Sequence, residues 1–336
     1  MKILIVGKEI SNKSYGDYIN IAMPLVEIGN FIEFYDISKS VTKNTLEISK
    51  LISEFKPELI FFIPVEDELN YDFIKKLTID IPTLAYFYDD TWRIRYSLKW
   101  AQVVNYIVTT DVNWFLNFKM HKEKVIPCPF FINTNQYLKT KNKIYKYDIS
   151  FVGQYHPYRE LVIKKIRKLG YNVHVFGNGW NKNSTISFHE MIEVFNNTKI
   201  NLNLSNCVNF DLRNIFDFKN ISFIGALKAI KLLITATYKI DMKIHEMVKA
   251  RFFEINACGG FQIGFYAQGL EKVFEIGNEI EIYSNFDELK RKIDYYLVNE
   301  DKRELIAMTG YHRTLKFHDS KFRLKTILAN INFNNR

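Results

Sequence analysis

The stretch Lys139-Thr-Lys-Asn-Lys-Ile-Tyr-Lys146, followed at once by Tyr147-Asp148-Ile-Ser-Phe-Val-Gly153, decides how the chain is organised. Its first half is polar and lysine-rich, as a connection is. Its second half is an apolar run that stops at a glycine, as a strand entering a turn does. On both sides of this stretch, short β-type runs alternate with amphipathic helical stretches. Upstream, strands are expected at residues 3–6, 31–35, 59–63, 83–88, 106–109 and 125–126, with helices at 18–29, closed by Gly29 as a left-handed cap, and at 46–55. Downstream, strands are expected at 148–152, 172–176, 200–204, 260–264 and 279–283, and helices at 159–169, 188–196, 250–258 and 286–299. This rhythm marks parallel sheets covered by helices on both faces. The chain's 336 residues exceed one hydrophobic core. The expected fold class is therefore α/β, with two Rossmann-like domains at 1–138 and 147–317. Ligands of open α/β sheets sit beyond the carboxyl ends of the strands, so two such domains facing each other would enclose a central cleft.

Bulk composition narrows the function. The formal net charge of +9 and pI near 9.1 favour acidic partners such as nucleotide phosphates, anionic lipid surfaces or nucleic acid. The lysines and arginines are spread along the chain with no dense basic run and no repeated aromatic-basic module, so no nucleic-acid partner is expected. Cys128, Cys207 and Cys258 are far apart and lack CxxC spacing, which argues against a disulfide framework or structural zinc and for a reducing cytoplasm. His121, His156, His174, His189, His245, His312 and His318 are dispersed without zinc-ligand spacing, and no metal site is expected. The opening residues read as a strand rather than a signal peptide. No run of about 18 apolar residues occurs, so no span is expected to cross a bilayer.

One segment breaks the alternation. Residues 207–242 form a long insertion, and within it residues 221–238 (ISFIGALKAIKLLITATY) read as an apolar helix carrying Lys228 and Lys231. Packing on its own domain is the preferred reading. The other is peripheral contact with a membrane or a partner, since an apolar face beside basic residues suits an anionic lipid surface.

The densest chemical constellation is Glu246-Met-Val-Lys249-Ala-Arg251-Phe-Phe-Glu254-Ile-Asn-Ala-Cys258-Gly259-Gly260. A helix starting near Lys249 would place Lys249 and Arg251 in its first turn, where backbone N–H groups and the dipole also favour an anion such as a diphosphate. One turn on, the paired oxygens of Glu254 suit the two hydroxyls of a ribose. The plainer alternative is a solvated helix in which Glu254 pairs with Arg251. Gly259-Gly260 permits close approach of a ligand or strand. Two further glycine turns follow strands: Gly177-Asn-Gly179-Trp180, where the indole suits a base or sugar face, and Gly153-Gln154. In the N-terminal half, Tyr88-Asp89-Asp90-Thr-Trp92-Arg93 places Asp89 and Asp90 at a strand end, to orient an acceptor hydroxyl or act as general base, or else to cap a helix. No serine, cysteine or lysine nucleophile motif is present.

The runs Tyr147-Asp-Ile-Ser-Phe-Val-Gly153, Val173-His-Val-Phe-Gly177-Asn-Gly179-Trp180, Thr198-Lys-Ile-Asn-Leu-Asn-Leu-Ser205, Lys249-Ala-Arg251-Phe-Phe-Glu254-Ile-Asn-Ala-Cys-Gly259-Gly260 and the tail from Tyr295 to His318 resemble the spore maturation protein CgeB-like group of GT-B glycosyltransferases. The resemblance covers residues 147–323 and is looser upstream, where 88–93 match best. It implies a GT-B fold, a nucleotide-diphosphate-sugar donor, metal-independent transfer and a carbohydrate-bearing acceptor. The donor is a co-substrate, and no resident cofactor is implied. Glu254 matches the ribose-holding position, Lys249 and Arg251 the diphosphate positions, and Glu246 precedes Glu254 by the spacing of the two-glutamate motif of related retaining enzymes. Gly153, Gly177, Gly179, Trp180 and Gly259 line the same donor side. Asp89, Asp90 and Glu246 are the catalytic candidates. Residues 318–336 are expected to form a helix returning to the N-terminal domain. The resemblance implies a hexosyltransferase of cell-envelope or surface polysaccharide synthesis, in the cytoplasm or at the inner membrane face. A non-catalytic nucleotide-sugar or glycan binding protein on the same fold stays open as the alternative, as do the sugar, the base and the anomeric outcome.

Overall fold

The computed structural model describes residues 1–8, 16–141, 143–181, 184–207, 220–238 and 246–333. Much of the 207–242 segment, His245 and the last three residues lie outside the described residues. The chain divides into two compact units, Met1–Gln136 with Phe317–Arg336, and Tyr137–Lys316.

In the first unit, β1 (Lys2–Gly7), β2 (Phe31–Asp36), β3 (Leu59–Phe62), β4 (Thr83–Phe87), β5 (Tyr106–Thr109) and β6 (Val125–Pro127) form one sheet in the order β2-β1-β3-β4-β5-β6. Every pairing is parallel. Strands buried on both faces must be apolar throughout rather than alternating. Thus β3 reads Leu-Ile-Phe-Phe and β4 Thr-Leu-Ala-Tyr-Phe, each buried along its whole length. Ile3, Ile5 and Phe61 enter one core layer, and Leu4, Val6, Ile60 and Phe62 the other.

The covering helices are α1 (Met23–Glu27), α2 (Val41–Phe55), α3 (Tyr71–Asp80), α4 (Asp90–Ala101) and the single turn α5 (Trp114–Asn117). The helix expected at 18–29 begins as a π-turn over Tyr18–Ala22. Pro24 has no N–H, and the turn before it widens so that the Met23 N–H donates to the Tyr18 carbonyl. The helix expected at 46–55 starts five residues earlier, at Val41. Its first turns are polar and hide the start, while Asn44 is buried and donates to the carbonyls of Ile37, Lys39 and Glu68.

In the second unit, β7 (Tyr147–Val152), β8 (Val173–Phe176), β9 (Thr198–Asn203), β10 (Gln262–Phe265) and β11 (Glu281–Tyr283) form a parallel sheet in the order β11-β10-β9-β7-β8. Its helices are α6 (Pro157–Lys168), α7 (Phe188–Asn196), α8 (Phe223–Tyr238), α9 (Ala250–Ala257), α10 (Phe286–Val298) and α11 (Glu300–Phe317). The chain runs from β7 out to the edge strand β8 and returns on the other side of β7 as β9. The order therefore reverses between β7 and β9, and a crevice opens beyond their carboxyl ends.

The lysine-rich stretch is part of the second unit rather than a free connection. Thr140 N–H donates to Asn196 Oδ1 at 2.7 Å, Lys143 Nζ donates to the Gly259 carbonyl at 2.6 Å, and Tyr145 hydrogen-bonds Glu304. The last helix, α12 (Ser320–Ala329), belongs to the first unit. Leu324 and Ile327 enter the core beside Ile3, Ile5 and Leu25, and Asp319 caps the helix by accepting from Lys321 N–H.

Candidate functional site

The turns after β7 and β8 lock into each other. Gly153 N–H donates to the Phe176 carbonyl, and Trp180 Nε1 donates to the Gly153 carbonyl at 2.9 Å. Gly177 has φ of 125°, and a Cβ there would lie 2.3 Å from the Gly153 oxygen, so no other residue fits. Gly179, at φ 86°, faces Tyr155. The close approach expected at Gly153, Gly177 and Gly179 is thus realised between two protein loops. The Trp180 ring meets Tyr155 and Phe151 edge-on at 5.1 and 6.0 Å between centroids. The lock holds the residues from Gln154 onward at the β7/β9 crevice.

Next along the chain is the start of α6. His156 is the N-cap, its Nδ1 accepting from Tyr158 N–H, and Pro157 opens the first turn. Arg159, only 8% exposed, donates to the Leu204 carbonyl through Nε and Nη2 at 3.3 and 3.2 Å, and to the Gln154 carbonyl through Nη1 at 2.7 Å. It thereby joins the loops after β7 and β9. Burial pushes its pKa down to about 10, so the guanidinium stays charged at neutral pH. In front of it a pocket of 380 Å³ is lined by Gln154, Tyr155, His156, Asn206, Lys228 and Lys231. Lys228 Nζ lies 4.3 Å from the Tyr155 ring centroid. A helix N-terminus, a buried arginine and two lysines converge there, and that combination favours an anion.

The start of α9 continues this patch. Lys249 is its N-cap, with Arg251 in the first turn. Lys249 pairs with Glu246, whose Oε2 also accepts from Cys207 Sγ at 3.3 Å. Burial alone would raise the Glu246 pKa, but Lys249 and hydrogen bonds from Ser205 and Cys207 hold it below the usual value. Arg251 Nη1 pairs with Glu254 Oε2 at 2.7 Å and lies against Met191 Sδ and the Phe195 ring. The plainer pairing considered for Glu254 is therefore formed, and its Oε1 accepts from Tyr137 at 3.1 Å. The Lys249 and Arg251 side chains are only 16% and 23% exposed, so neither swings in bulk water. Arg159 interacts electrostatically with both Glu246 and Arg251, which makes the pocket and the α9 start one field. Five cations against two carboxylates leave three positive charges in excess, enough to hold a diphosphate.

Gly259 has a different task from the one expected. A Cβ on it would lie 2.7 Å from Lys139 Cδ, so its small size admits a lysine stem of the same unit. Gly260 likewise faces the Phe195 carbonyl.

In the first unit, Asp90 is a correction. It has no exposed surface, Ser97 Oγ hydrogen-bonds its Oδ1, and burial pushes its pKa up to about 7. It is closed to an acceptor hydroxyl. Asp89 is the half-buried N-cap residue of α4, and its side chain makes no cap hydrogen bond. The structure adds Asp17 of the first unit, which stands in no sequence motif. Its Oδ1 accepts from Tyr88 at 2.7 Å, Oδ2 lies against Gly7 at the end of β1, and burial pushes its pKa up to about 6. Arg159, Asn206 and Asp17 escaped the sequence reading because each is an ordinary helix or loop residue until the fold places it at a strand end. Among the described residues, no three His, Cys, Asp or Glu side chains gather as a metal-binding group, and no helix is long and apolar enough to cross a membrane.

The fold matches solved glycosyltransferases of the two-unit GT-B type. Sucrose-phosphate synthase from Thermosynechococcus elongatus superposes with a TM-score of 0.67 at 8% identity, covering 98% of each chain. Anabaena HepE, solved in complex with UDP and glucose, gives 0.63 at 11% identity, covering 98% of this chain and all of its own. AviGT4, a glycosyltransferase involved in avilamycin A biosynthesis, gives 0.61 at 8%, covering 98% and 96%. No curated protein matches the chain in sequence. Residues 159–329, which begin at the buried arginine and run through α9 to the end of the terminal helix, match the model of the glycosyl transferase-like family, and the chain belongs to that family.

Proposed function

We propose that the protein transfers a sugar, of hexose type, from a nucleotide-diphosphate-sugar donor to a glycan, lipid-linked or protein acceptor, and that it is a CgeB-like enzyme of cell-envelope or surface polysaccharide synthesis. The observation that carries this reading is the cationic pocket at the β7/β9 switch point, where Arg159, Lys228, Lys231 and the α6 N-terminus adjoin Lys249 and Arg251. In the transfer, the bond from the anomeric carbon to the diphosphate oxygen breaks and its electron pair stays on the diphosphate. A bond to the acceptor oxygen forms, and the acceptor proton passes to a base. The charge gained by the leaving group falls on fixed cations and helix N–H groups, which stabilise it without reorganisation and without a metal. Glu254 is assigned to the donor ribose, with Tyr137 and Arg251 orienting its oxygens. Glu246 holds Lys249 in place. Asp89 and Asp17 keep access to solvent and are the acceptor-side candidates of the first unit.

HepE's UDP makes uridine diphosphate the first probe. Saturating nucleoside diphosphate should raise the melting temperature, by about 2.7 kcal/mol of stability at a hundred times Kd. Arg159→Ala and Lys249→Ala should abolish that response and the release of nucleoside diphosphate from a donor. Failure of every nucleoside diphosphate to stabilise the protein would end this reading. Stabilisation with neither donor hydrolysis nor transfer would convert it to the non-catalytic binding protein.

A further inference from the structure

In the first unit, two opposite charges are held in place without meeting each other. Glu68 follows β3, in a loop fixed from both sides: Tyr96 donates to the Glu66 carbonyl, and Asn44 Nδ2 donates to the Glu68 carbonyl at 3.0 Å. Its Oε2 is buried and has no hydrogen-bonding partner among the described residues. Arg93 stands in the first turn of α4, after β4, where the chain leaves helical dihedrals at φ −110° and ψ 25°. Its guanidinium lies 4.4 Å from the Tyr96 ring centroid and 5.6 Å from that of Trp92. Both side chains are half-buried. Burial raises the pKa of Tyr71 and Tyr96, and on each of them Glu68 adds to the rise while Arg93 opposes it. Both charges therefore act on the same two hydroxyls, yet among the described residues no ion pair joins either of them to a partner.

We infer that Glu68 and Arg93 hold hydroxyls of an uncharged carbohydrate at the carboxyl ends of β3 and β4. Open α/β sheets bind ligands at that end, and β3 flanks the point where the strand order reverses, with β2 on one side of β1 and β3 on the other. A carboxylate only accepts hydrogen bonds and a guanidinium only donates them. A hydroxyl does both, so neighbouring hydroxyls of one sugar satisfy the two ends at once. A ligand carboxylate or phosphate would suit Arg93 but meet Glu66, Asp67 and Glu68 together, and an ammonium would suit the acids but leave Arg93 facing a like charge. Tyr96 serves both ends, with its hydroxyl on the Glu66 carbonyl and its ring beneath Arg93, so binding has little left to order. A fixed, half-buried carboxylate without a partner carries a desolvation cost that a ligand hydroxyl offsets. The role of this sugar as the acceptor rests on the transferase reading, and its binding does not.

The test is saturation-transfer NMR of the full chain with methyl glucoside, methyl galactoside and N-acetylglucosamine, and with glucosamine and glucuronate as charged counterparts. At least one neutral sugar should bind, and bind ahead of both charged ones. Arg93→Ala and Glu68→Gln should each weaken that binding by about tenfold or more. The melting temperature and the thermal response to uridine diphosphate should stay as in the parent, since neither residue lines the donor pocket. Arg93→Lys, which keeps the charge without the planar fork, should retain part of the binding. Binding of none of the neutral sugars would overturn the inference. Tighter binding of glucosamine or glucuronate would do the same, as would neutral-sugar binding that survives both changes. Sugar binding by a protein that no nucleoside diphosphate stabilises would uphold the site and remove only its role as the acceptor position.

Discussion

Asp90 carries its proton to near neutral pH, because no water reaches it and Ser97 satisfies only one of its oxygens. Its folded pKa of about 7 lies above the unfolded value of about 4, so the folded chain binds the extra proton between them. The contribution to stability is full below pH 4 and is lost as pH rises through 7. Asp90→Asn should therefore flatten the pH dependence and add up to a few kcal/mol at pH 8. Urea unfolding at pH 5 and pH 8 measures this, and an unchanged difference between the two would assign the titration elsewhere. Arg159 is a second residue whose work is positional as well as electrostatic. Lysine supplies the charge but not the fork that reaches two carbonyls on different loops. Arg159→Lys should lower stability by about 1–3 kcal/mol and weaken nucleoside diphosphate binding, both read by thermal shift. Wild-type behaviour of this variant would mean that charge alone suffices.

Among the elements, the paired turns after β7 and β8 are the least tolerant of change. Gly177 sits at a positive φ with no room for a methyl group, so Gly177→Ala should cost roughly 2–4 kcal/mol and displace the Gln154 loop that borders the pocket. Circular dichroism melting of the variant tests it, and a melting temperature equal to the parent's would show that the turns relax freely. The elements with continuous apolar strands or well-capped amphipathic stretches were legible. Tyr106–Thr109 and Phe188–Asn196 fall on the expected boundaries, the latter started by the Ser187–Glu190 capping box. Those marked by charge rather than apolar periodicity, Tyr71–Asp80 and Glu300–Phe317, were not. Their buried faces are small, and α11 buries Arg303 itself, which donates to the Tyr296 carbonyl.

At the level of the whole molecule, the first unit is assembled from both ends of the chain. Leu324 and Ile327 are buried with Ile3 and Ile5, so a chain ending at Phe317 leaves a cavity along one face of that sheet. Truncation after Phe317 should cost more than about 4 kcal/mol and open the β1–β6 sheet of the first unit to limited proteolysis, while the β7–β11 sheet of the second unit stays resistant. Equal resistance of both parts would show that α12 is dispensable. The sequence by itself determined the two-sheet α/β class and the cationic start of α9, because both rest on local periodicity and on residues adjacent in the chain. Only the tertiary structure decided that Arg159, Asn206 and Lys228 share one pocket, that Asp90 is sealed while Asp89 and Asp17 reach solvent, and that the glycine turns clasp each other. Those facts depend on which strand ends lie side by side, and strand order is set by long-range packing that no local pattern encodes.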